Sequence, residues 1–123
     1  MDKATKFSII YKRKMKEVKG ERVGKYFGVR HEHNPEMDVL GHRITHLPSG
    51  ALLTSVYFST FDDAAEVARG AEKVYGDLLD NANIAVLRDN APKVSGGRDF
   101  YALIQKLNKF DHPITMRNIY ELV

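Results

Sequence analysis

Alternating apolar and polar residues predict a set of β-strands in the first half of the chain. Residues 6–12 and 23–31 are rich in β-branched and aromatic side chains, and residues 42–47 and 51–58 form two further runs of this kind. Such runs are typical of strands. Pro48-Ser49-Gly50 separates the last two runs. Because proline fixes its own φ and glycine accepts a positive φ, we expect a tight turn there.

The segments between the first three runs contain the residues of turns and loops. The charged stretch 13–22 includes Gly20 and is predicted to form either a hairpin or a mobile arm. Residues 33–41 are predicted to form a loop, because Asn34-Pro35 favours the start of a turn and Gly41 can close it.

One long amphipathic helix is predicted over residues 61–79. Ser59 or Thr60 can cap its first turn, where the helix dipole also favours the acidic Asp62 and Asp63. Its apolar residues recur at helical spacing and form one stripe. This stripe consists of Phe61, Ala64, Ala65, Ala68, Ala71, Tyr75, Leu78 and Leu79. The expected architecture is an antiparallel sheet of three or four strands packed on this helix.

The last third of the chain predicts further helices. Residues 98–110 have the helical spacing of an amphipathic helix, whereas residues 83–88 fit either a short strand or a helical segment. Residues 114–123 predict a third short helix, with a strand as the alternative. Strands followed by helices in this order indicate an α+β fold class.

Length and composition are those of one globular domain over residues 1–123. The chain has 123 residues, of which 43% are hydrophobic, so it is long enough for one domain with a core of its own and too short for two domains. We expect a basic strand or arm over residues 1–22, a β-β-β-α unit over 23–80 and a mainly helical C-terminal extension over 81–123.

The chain contains no cysteine, which excludes disulfides, thiolate metal ligands and cysteine nucleophiles. No apolar run has the length of a signal peptide core or of a membrane span. We therefore expect a cytoplasmic protein that does not associate with membranes.

Positive charge is concentrated at the N-terminal end. Residues 1–30 contain ten lysines and arginines against three acids, a net charge of +7, whereas residues 31–123 carry a net charge of −4. A basic end on a mildly acidic body suggests an anionic partner such as nucleic acid. A lysine-rich edge that prevents pairing with other sheets is the alternative.

Strand alternation assigns the side chains to two faces of the sheet. The face toward the helix is predicted to hold Phe27, Val29, Ile44, Leu52, Val56 and Phe58. The outer face is predicted to show Tyr26, Arg30, Arg43, Thr45, Ser55 and Tyr57. A mixture of arginine, hydroxyl and aromatic side chains on an open sheet is typical of surfaces that contact nucleic acid.

Part of the sequence resembles a known family of DNA-binding domains. The run Tyr26-Phe27-Gly28-Val29-Arg30, a loop, two strands ending in Phe58 and the helix start from Thr60 to Ala68 are similar to the ethylene-response-factor/integrase-type domain. This family occurs in plant transcription factors and in phage homing endonucleases and integrases, and the likeness covers about residues 26–75.

The resemblance implies that a three-stranded sheet lies in the DNA major groove. It also implies that Arg30 and Arg43 contact bases or phosphates. Phe27 and Glu32 stand where the family usually has basic residues, and this chain has no tryptophan.

Four histidines fall close together in the sequence: His31, His33, His42 and His46. If both segments are extended, all four side chains point toward the helix, where they could bind a divalent metal ion. The alternative is that the imidazole rings lie at the rim of the core, and we assign no metal ligand to this chain.

No catalytic signature is present, so we expect a protein that is not an enzyme and needs no cofactor. The paired acids Asp62 and Asp63 are explained by their place in the first turn of a helix.

The sequence predicts a small protein that binds double-stranded DNA, such as a phage- or plasmid-type regulator, through the outer sheet face and the basic N-terminal segment. The predicted contact residues are Tyr26, Arg30, Arg43, Thr45, Tyr57, Lys12, Arg13, Lys14 and Lys16. The alternative is a non-catalytic module or inhibitor that binds a protein partner, for which the apolar C-terminus (Ile119, Tyr120, Leu122 and Val123) is a candidate surface. The oligomeric state is left open.

Overall fold

The computed structural model describes residues 4–36 and 38–121. Four antiparallel strands form one sheet in the order β1-β2-β3-β4. The strands are β1 (Ala4–Tyr11), β2 (Lys14–Val23), β3 (Phe27–Asn34) and β4 (Val39–His46). The predicted α+β class with an antiparallel sheet is confirmed, and each strand is joined to the next by a short connection.

The charged stretch 13–22 forms a hairpin with the first strand, which was one of the two predicted alternatives. β1 and β2 pair from Ala4↔Glu21 to Tyr11↔Lys14. Only Lys12 and Arg13 connect them, and both have a positive φ, of 49° and 67°. Residues 14–22 therefore belong to a strand that begins directly after the two-residue turn.

The β1–β2 hairpin leaves the plane of β3 and β4 and crosses the face of these strands that is opposite the helices. β2 pairs with β3 only over Glu21–Val23. The Phe7 ring packs on Gly28, where an added Cβ would lie 2.7 Å from the ring. Farther along β1, the Ile10 N–H donates to the Gly50 carbonyl at 2.9 Å. The sheet is thus strongly curled, with the hairpin as a cover.

The predicted strand over residues 51–58 is wrong. This segment runs beside β4 but shares only two isolated bridges with it, Thr45↔Leu52 and His42↔Phe58. Between the bridges, Asn108 accepts hydrogen bonds from the Thr54 hydroxyl at 2.5 Å and from the Ser55 N–H at 2.9 Å. A distant side chain therefore holds the middle of this segment instead of a strand ladder.

The predicted loop over residues 33–41 is shorter than expected, because β3 continues to Asn34 and β4 begins at Val39. The predicted turn at residues 48–50 is present, with Gly50 at a φ of 76°.

The long helix is confirmed, but its α-helical part is shorter than predicted. α1 spans Phe61–Tyr75 and continues as a 3₁₀ turn over Gly76–Asp80. Thr60 caps it, since the Thr60 side chain accepts a hydrogen bond from the Asp63 N–H at 3.1 Å. Ala64, Ala65, Ala68 and Ala71 are all fully buried, which lets α1 lie close to the sheet.

The C-terminal third is helical. It contains α2 (Ile84–Asn90), a 3₁₀ turn (Ala91–Lys93), α3 (Gly97–Leu107) and α4 (Met116–Tyr120). The helical alternative is therefore correct for residues 83–88, and so is the third short helix. No helix in the ranges 4–36 and 38–121 is long and apolar enough to span a membrane.

The apolar side chains form two separate cores. The main core joins the sheet, α1 and the C-terminal helices around Phe27, Ile44, Phe58, Leu107 and Ile114. A small second core lies under the hairpin and consists of Phe7, Ile9 and Val18 with Leu47 packed against them. The predicted inner face is confirmed for Phe27, Val29, Ile44, Val56 and Phe58. The prediction is wrong for Leu52, which is 42% exposed.

Candidate functional site

A cavity of about 410 Å³ lies between the β1–β2 hairpin and the face of β3 and β4 opposite α1. We call it the hairpin cleft. Its lining combines cations, two carboxylates, two tyrosines and aliphatic side chains. The lining side chains on which the later argument depends are Ile9, Tyr11, Lys12, Lys16, Arg30, Glu32, Glu36, Arg43, Thr45, Leu52 and Tyr57.

Glu32 is the centre of a charged network on the cleft wall. Its carboxylate forms ion pairs with both Arg30 and Arg43, and the Arg43 pair measures 2.7 Å. The Tyr57 hydroxyl also donates to Glu32, at 3.1 Å. The Arg43 guanidinium lies over the Tyr57 ring, 4.5 Å from the centroid, and donates to the Ser55 carbonyl at 3.3 Å. These contacts fix the positions of both arginines.

The network also sets the protonation states of its members. Burial raises the pKa of Glu32, but the contacts with Arg43, Arg30 and Tyr57 outweigh burial and hold this pKa below its ordinary value. Burial raises the pKa of Tyr57, so its hydroxyl keeps its proton at neutral pH and can donate to Glu32. The cleft wall is therefore an ionised carboxylate between two guanidiniums.

Two polar atoms beside this network have no hydrogen-bond partner among the described residues. They are the Arg43 Nε and the Thr45 hydroxyl oxygen, and both are buried. Thr45 is 1% exposed and lies on the same face as Arg43, paired with Gly28. A buried polar group without a partner is uncommon in a native fold.

The predicted outer face is only partly correct. Arg30, Arg43, Thr45 and Tyr57 do lie together on the side opposite α1, as strand alternation predicted. They do not form an open surface but one wall of the hairpin cleft: Thr45 and Tyr57 are buried, and the arginine side chains are each 19% exposed.

Tyr26 is not part of this face, which corrects its predicted place. It lies in the connection between β2 and β3 and is 6% exposed. Its hydroxyl donates to Asp80 at 2.8 Å, and its N–H donates to the Glu72 carboxylate at 2.6 Å. These contacts join the sheet to the end of α1, so Tyr26 has a structural role here.

The basic residues predicted from the N-terminal charge lie at the tip of the hairpin. Lys12, Arg13, Lys14 and Lys16 are all exposed. None of them forms an ion pair with a described acid, whereas Lys6 pairs with Glu17. The ammonium groups of Lys12 and Lys16 lie 5.4 and 5.1 Å from the centroid of the Tyr11 ring. Tyr11, Lys12 and Lys16 also line the hairpin cleft, so the basic tip and the cleft meet at these residues.

No protein-family model, curated protein or solved structure matches this chain.

The four clustered histidines are divided by the fold. The rings of His31 and His42 pair across β3 and β4, with centroids 4.7 Å apart, while His33 contacts Asp38. His46 is buried and uses both ring nitrogens, toward the Ser49 hydroxyl and the Leu79 carbonyl. In the described part of the chain, no three histidine, aspartate or glutamate side chains come together as a metal site would require.

Two residues of the cleft were missed from the sequence. Glu32 was noted only as an acid at a position where the family has a basic residue, although its parity with Arg30 places both on one face. Arg30 and Arg43 are direct cross-strand partners, and like charges so placed need a counterion. Tyr11 shares its face with Ile9 and Lys16, which strand alternation could also have indicated.

Proposed function

We propose that this protein binds double-stranded DNA through the tip of the β1–β2 hairpin. The observation that carries the proposal is the turn Lys12-Arg13, where both residues have a positive φ. Such two-residue turns favour asparagine and glycine, and other side chains there cost about 1 kcal/mol or more each. Two long cations occupy strained positions and are exposed, which favours a role in binding over a role in folding.

The shape of the hairpin supports the same proposal. The DNA major groove admits a two-stranded β-ribbon, and a ribbon presents side chains from both strands to the groove. Lys14 and Lys16 continue the positive charge from the turn along β2. Since exposed cations without acidic partners are available to phosphates, the tip would supply the sequence-independent part of the affinity.

This proposal differs from the binding mode that the family resemblance implies. In that mode the sheet face with Arg30 and Arg43 enters the groove. Here the hairpin covers that face, and both arginines pair with Glu32. We therefore place the DNA contacts on Lys12, Arg13, Lys14 and Lys16, and not on Arg30 and Arg43, which pair with Glu32.

The test is duplex binding across a salt series, with Arg13→Gln and Lys14→Gln beside the wild type. Each variant is expected to weaken binding and to lower the slope of log K against log salt by about 0.9 if one phosphate contact is lost. Lys109→Gln is the matched control, since Lys109 is exposed and lies after α3, outside the hairpin. No wild-type binding at ~50 mM salt, or equal losses in all three variants, would reject the proposal.

A protein partner is the second candidate. Ile10, Met15 and Leu52 are 49%, 59% and 42% exposed, so apolar side chains border the hairpin. Of the apolar C-terminus, Ile119 is buried in the main core, and residues 122 and 123 lie outside the described residues. Capture of one stoichiometric partner that survives nuclease treatment, and is lost in Met15→Asp, would favour this candidate over DNA.

A further inference from the structure

We propose that the hairpin cleft binds a small phosphate monoester that carries a planar ring, such as a mononucleotide. This site shares Lys12 and Lys16 with the hairpin tip but extends under the hairpin to Arg43 and Thr45, and the inference does not depend on duplex binding. The cavity of about 410 Å³ lies within the range of about 300–1,000 Å³ that is usual for small-molecule sites.

The charges of the lining match a dianion. Lys12, Lys16, Arg30 and Arg43 face two carboxylates, Glu32 and Glu36, which leaves a net charge of +2. A phosphate monoester carries about −1.5 to −2 at neutral pH. Glu32 already pairs with the two arginines, so the lysines supply the charge that is free for a ligand.

The positions of these lysines favour phosphate on the hairpin side of the cleft, beside Tyr11. Both ammonium groups lie within 5.4 Å of the Tyr11 ring centroid, on the hairpin side of the cavity. Lysine binds phosphate as a compact charge with rotatable donors, whereas a carboxylate is better matched by a free arginine fork. Both arginines already pair with Glu32, each through its Nη1 atom.

The remaining lining suits a flat apolar group. Ile9 and Leu52 contribute aliphatic surface, and Tyr11 contributes an aromatic ring that is half exposed. Aromatic side chains in such positions stack on planar rings. A ligand with a phosphate and a ring can therefore contact the lysines and the apolar wall at the same time.

Thr45 adds a specific polar group to this wall. It lines the cleft, is 1% exposed, and its hydroxyl has no partner among the described residues. Leaving such a group unpaired destabilises the folded chain. A polar atom of the ligand at this depth would provide the missing hydrogen bond, which gives the ring side of the ligand an orientation.

The experiment is an NMR titration of the full chain with adenosine monophosphate, adenosine and inorganic phosphate. Saturable shifts are expected at Ile9, Tyr11, Glu32 and Thr45 with the monophosphate, and binding of adenosine or phosphate alone should be weaker by about tenfold, or about 1.4 kcal/mol. Equal affinity for phosphate alone overturns the ring contact. Shifts confined to residues 12–14 overturn the cleft as the site.

Two lysines of β2 provide a matched pair of variants. Lys16 lines the cleft, whereas Lys19 is three residues farther along the strand and faces the other way. Lys16→Gln should lower the affinity for the monophosphate by about fivefold or more, whereas Lys19→Gln should lower it by less than about twofold. Equal effects would show a general attraction of anions to a basic hairpin, and would overturn the proposal.

A third variant, Thr45→Val, keeps the folded shape and removes only the hydroxyl. The free protein should be as stable as the wild type or more stable, while the affinity for the monophosphate falls by about threefold or more. Unchanged affinity overturns the role of Thr45.

A single-stranded oligonucleotide that ends in the same nucleotide identifies the source of the ligand. If the oligonucleotide binds more tightly than the monophosphate, the natural ligand is the end of a nucleic-acid strand. If it binds more weakly, the natural ligand is the free nucleotide.

Discussion

Glu32 is the single residue that balances the positive charge of the cleft wall. Arg30 and Arg43 face each other directly across β3 and β4, so their charges repel. Glu32 binds both, and the hydroxyl of Tyr57 provides a further donor. The side chains of all three charged residues are about four-fifths buried, so water screens their charges only weakly. One carboxylate therefore serves as the counterion of two guanidiniums.

We expect Glu32→Gln to destabilise the fold by roughly 2 kcal/mol, because two partly buried guanidiniums lose their counterion. The pKa of Glu32 is lower in the folded chain than in the unfolded chain. The contribution of Glu32 to the free energy of unfolding is therefore complete above its pKa in the unfolded chain, about 4.3. This contribution is lost as the pH falls toward the pKa of Glu32 in the folded chain. Urea denaturation between pH 7 and pH 3 should show this loss in the wild type and less of it in the variant.

Glu36→Gln is the control for this prediction. Glu36 also lines the cleft, but its side chain is exposed and forms no ion pair among the residues that the structure describes. Its removal should change the free energy of unfolding by no more than about 0.5 kcal/mol. If both variants lose the same stability, the network around Glu32 is not what stabilises the wall.

The turn between β1 and β2 is the element on which the proposed function depends. Lys12 and Arg13 both have a positive φ, which asparagine and glycine adopt at much lower cost. We expect the double substitution Lys12→Asn/Arg13→Gly to stabilise the protein by about 1 kcal/mol and to weaken duplex binding. Thermal unfolding and the salt series described above measure the two effects.

The charge and the turn geometry can be separated with Lys12→Gln/Arg13→Gln. This variant removes the same two charges but keeps side chains that are strained at positive φ. It should weaken duplex binding as much as the first variant without any gain in stability. A gain in stability from both variants would mean that repulsion between the cations, and not the backbone, is the source of the strain.

The elements differ in how far the sequence determines them. α1 was predictable, because its cap at Thr60 and its buried alanines follow a local spacing. Residues 51–58 have strand-like composition but not a strand, since Asn108, more than 50 positions away, binds Thr54 and Ser55. Such a contact leaves no periodic signal in the segment itself.

The candidate site was predictable to the same limited degree. Strand alternation correctly grouped Arg30, Arg43, Thr45 and Tyr57 on one face. It could not indicate that the hairpin would cover that face, because the curl depends on the packing of Phe7 on Gly28 and on the hydrogen bond from Ile10 to Gly50. These are contacts between distant parts of the chain.

At the scale of the whole molecule, the fold consists of a large core and a small one that are weakly joined. The hairpin core contains Phe7, Ile9 and Val18, whereas the main core holds the sheet, α1 and the C-terminal helices together. Three residue pairs, from Glu21↔Val29 to Val23↔Phe27, join β2 to β3. Free energies of local opening follow the amount of buried contact, so the hairpin should open without the rest.

We therefore expect native-state hydrogen exchange to show two levels of protection. Amides of β1 and of residues 14–20 should exchange with a smaller opening free energy than amides of β3, β4 and α1. Phe7→Ala should lower the opening free energy of the hairpin amides by about 3 kcal/mol and leave that of the α1 amides nearly unchanged. Val67→Ala, which acts in the main core, should instead lower the level of α1. One common opening free energy for all these amides would contradict the division, and the hairpin would then be a rigid wall of the cleft.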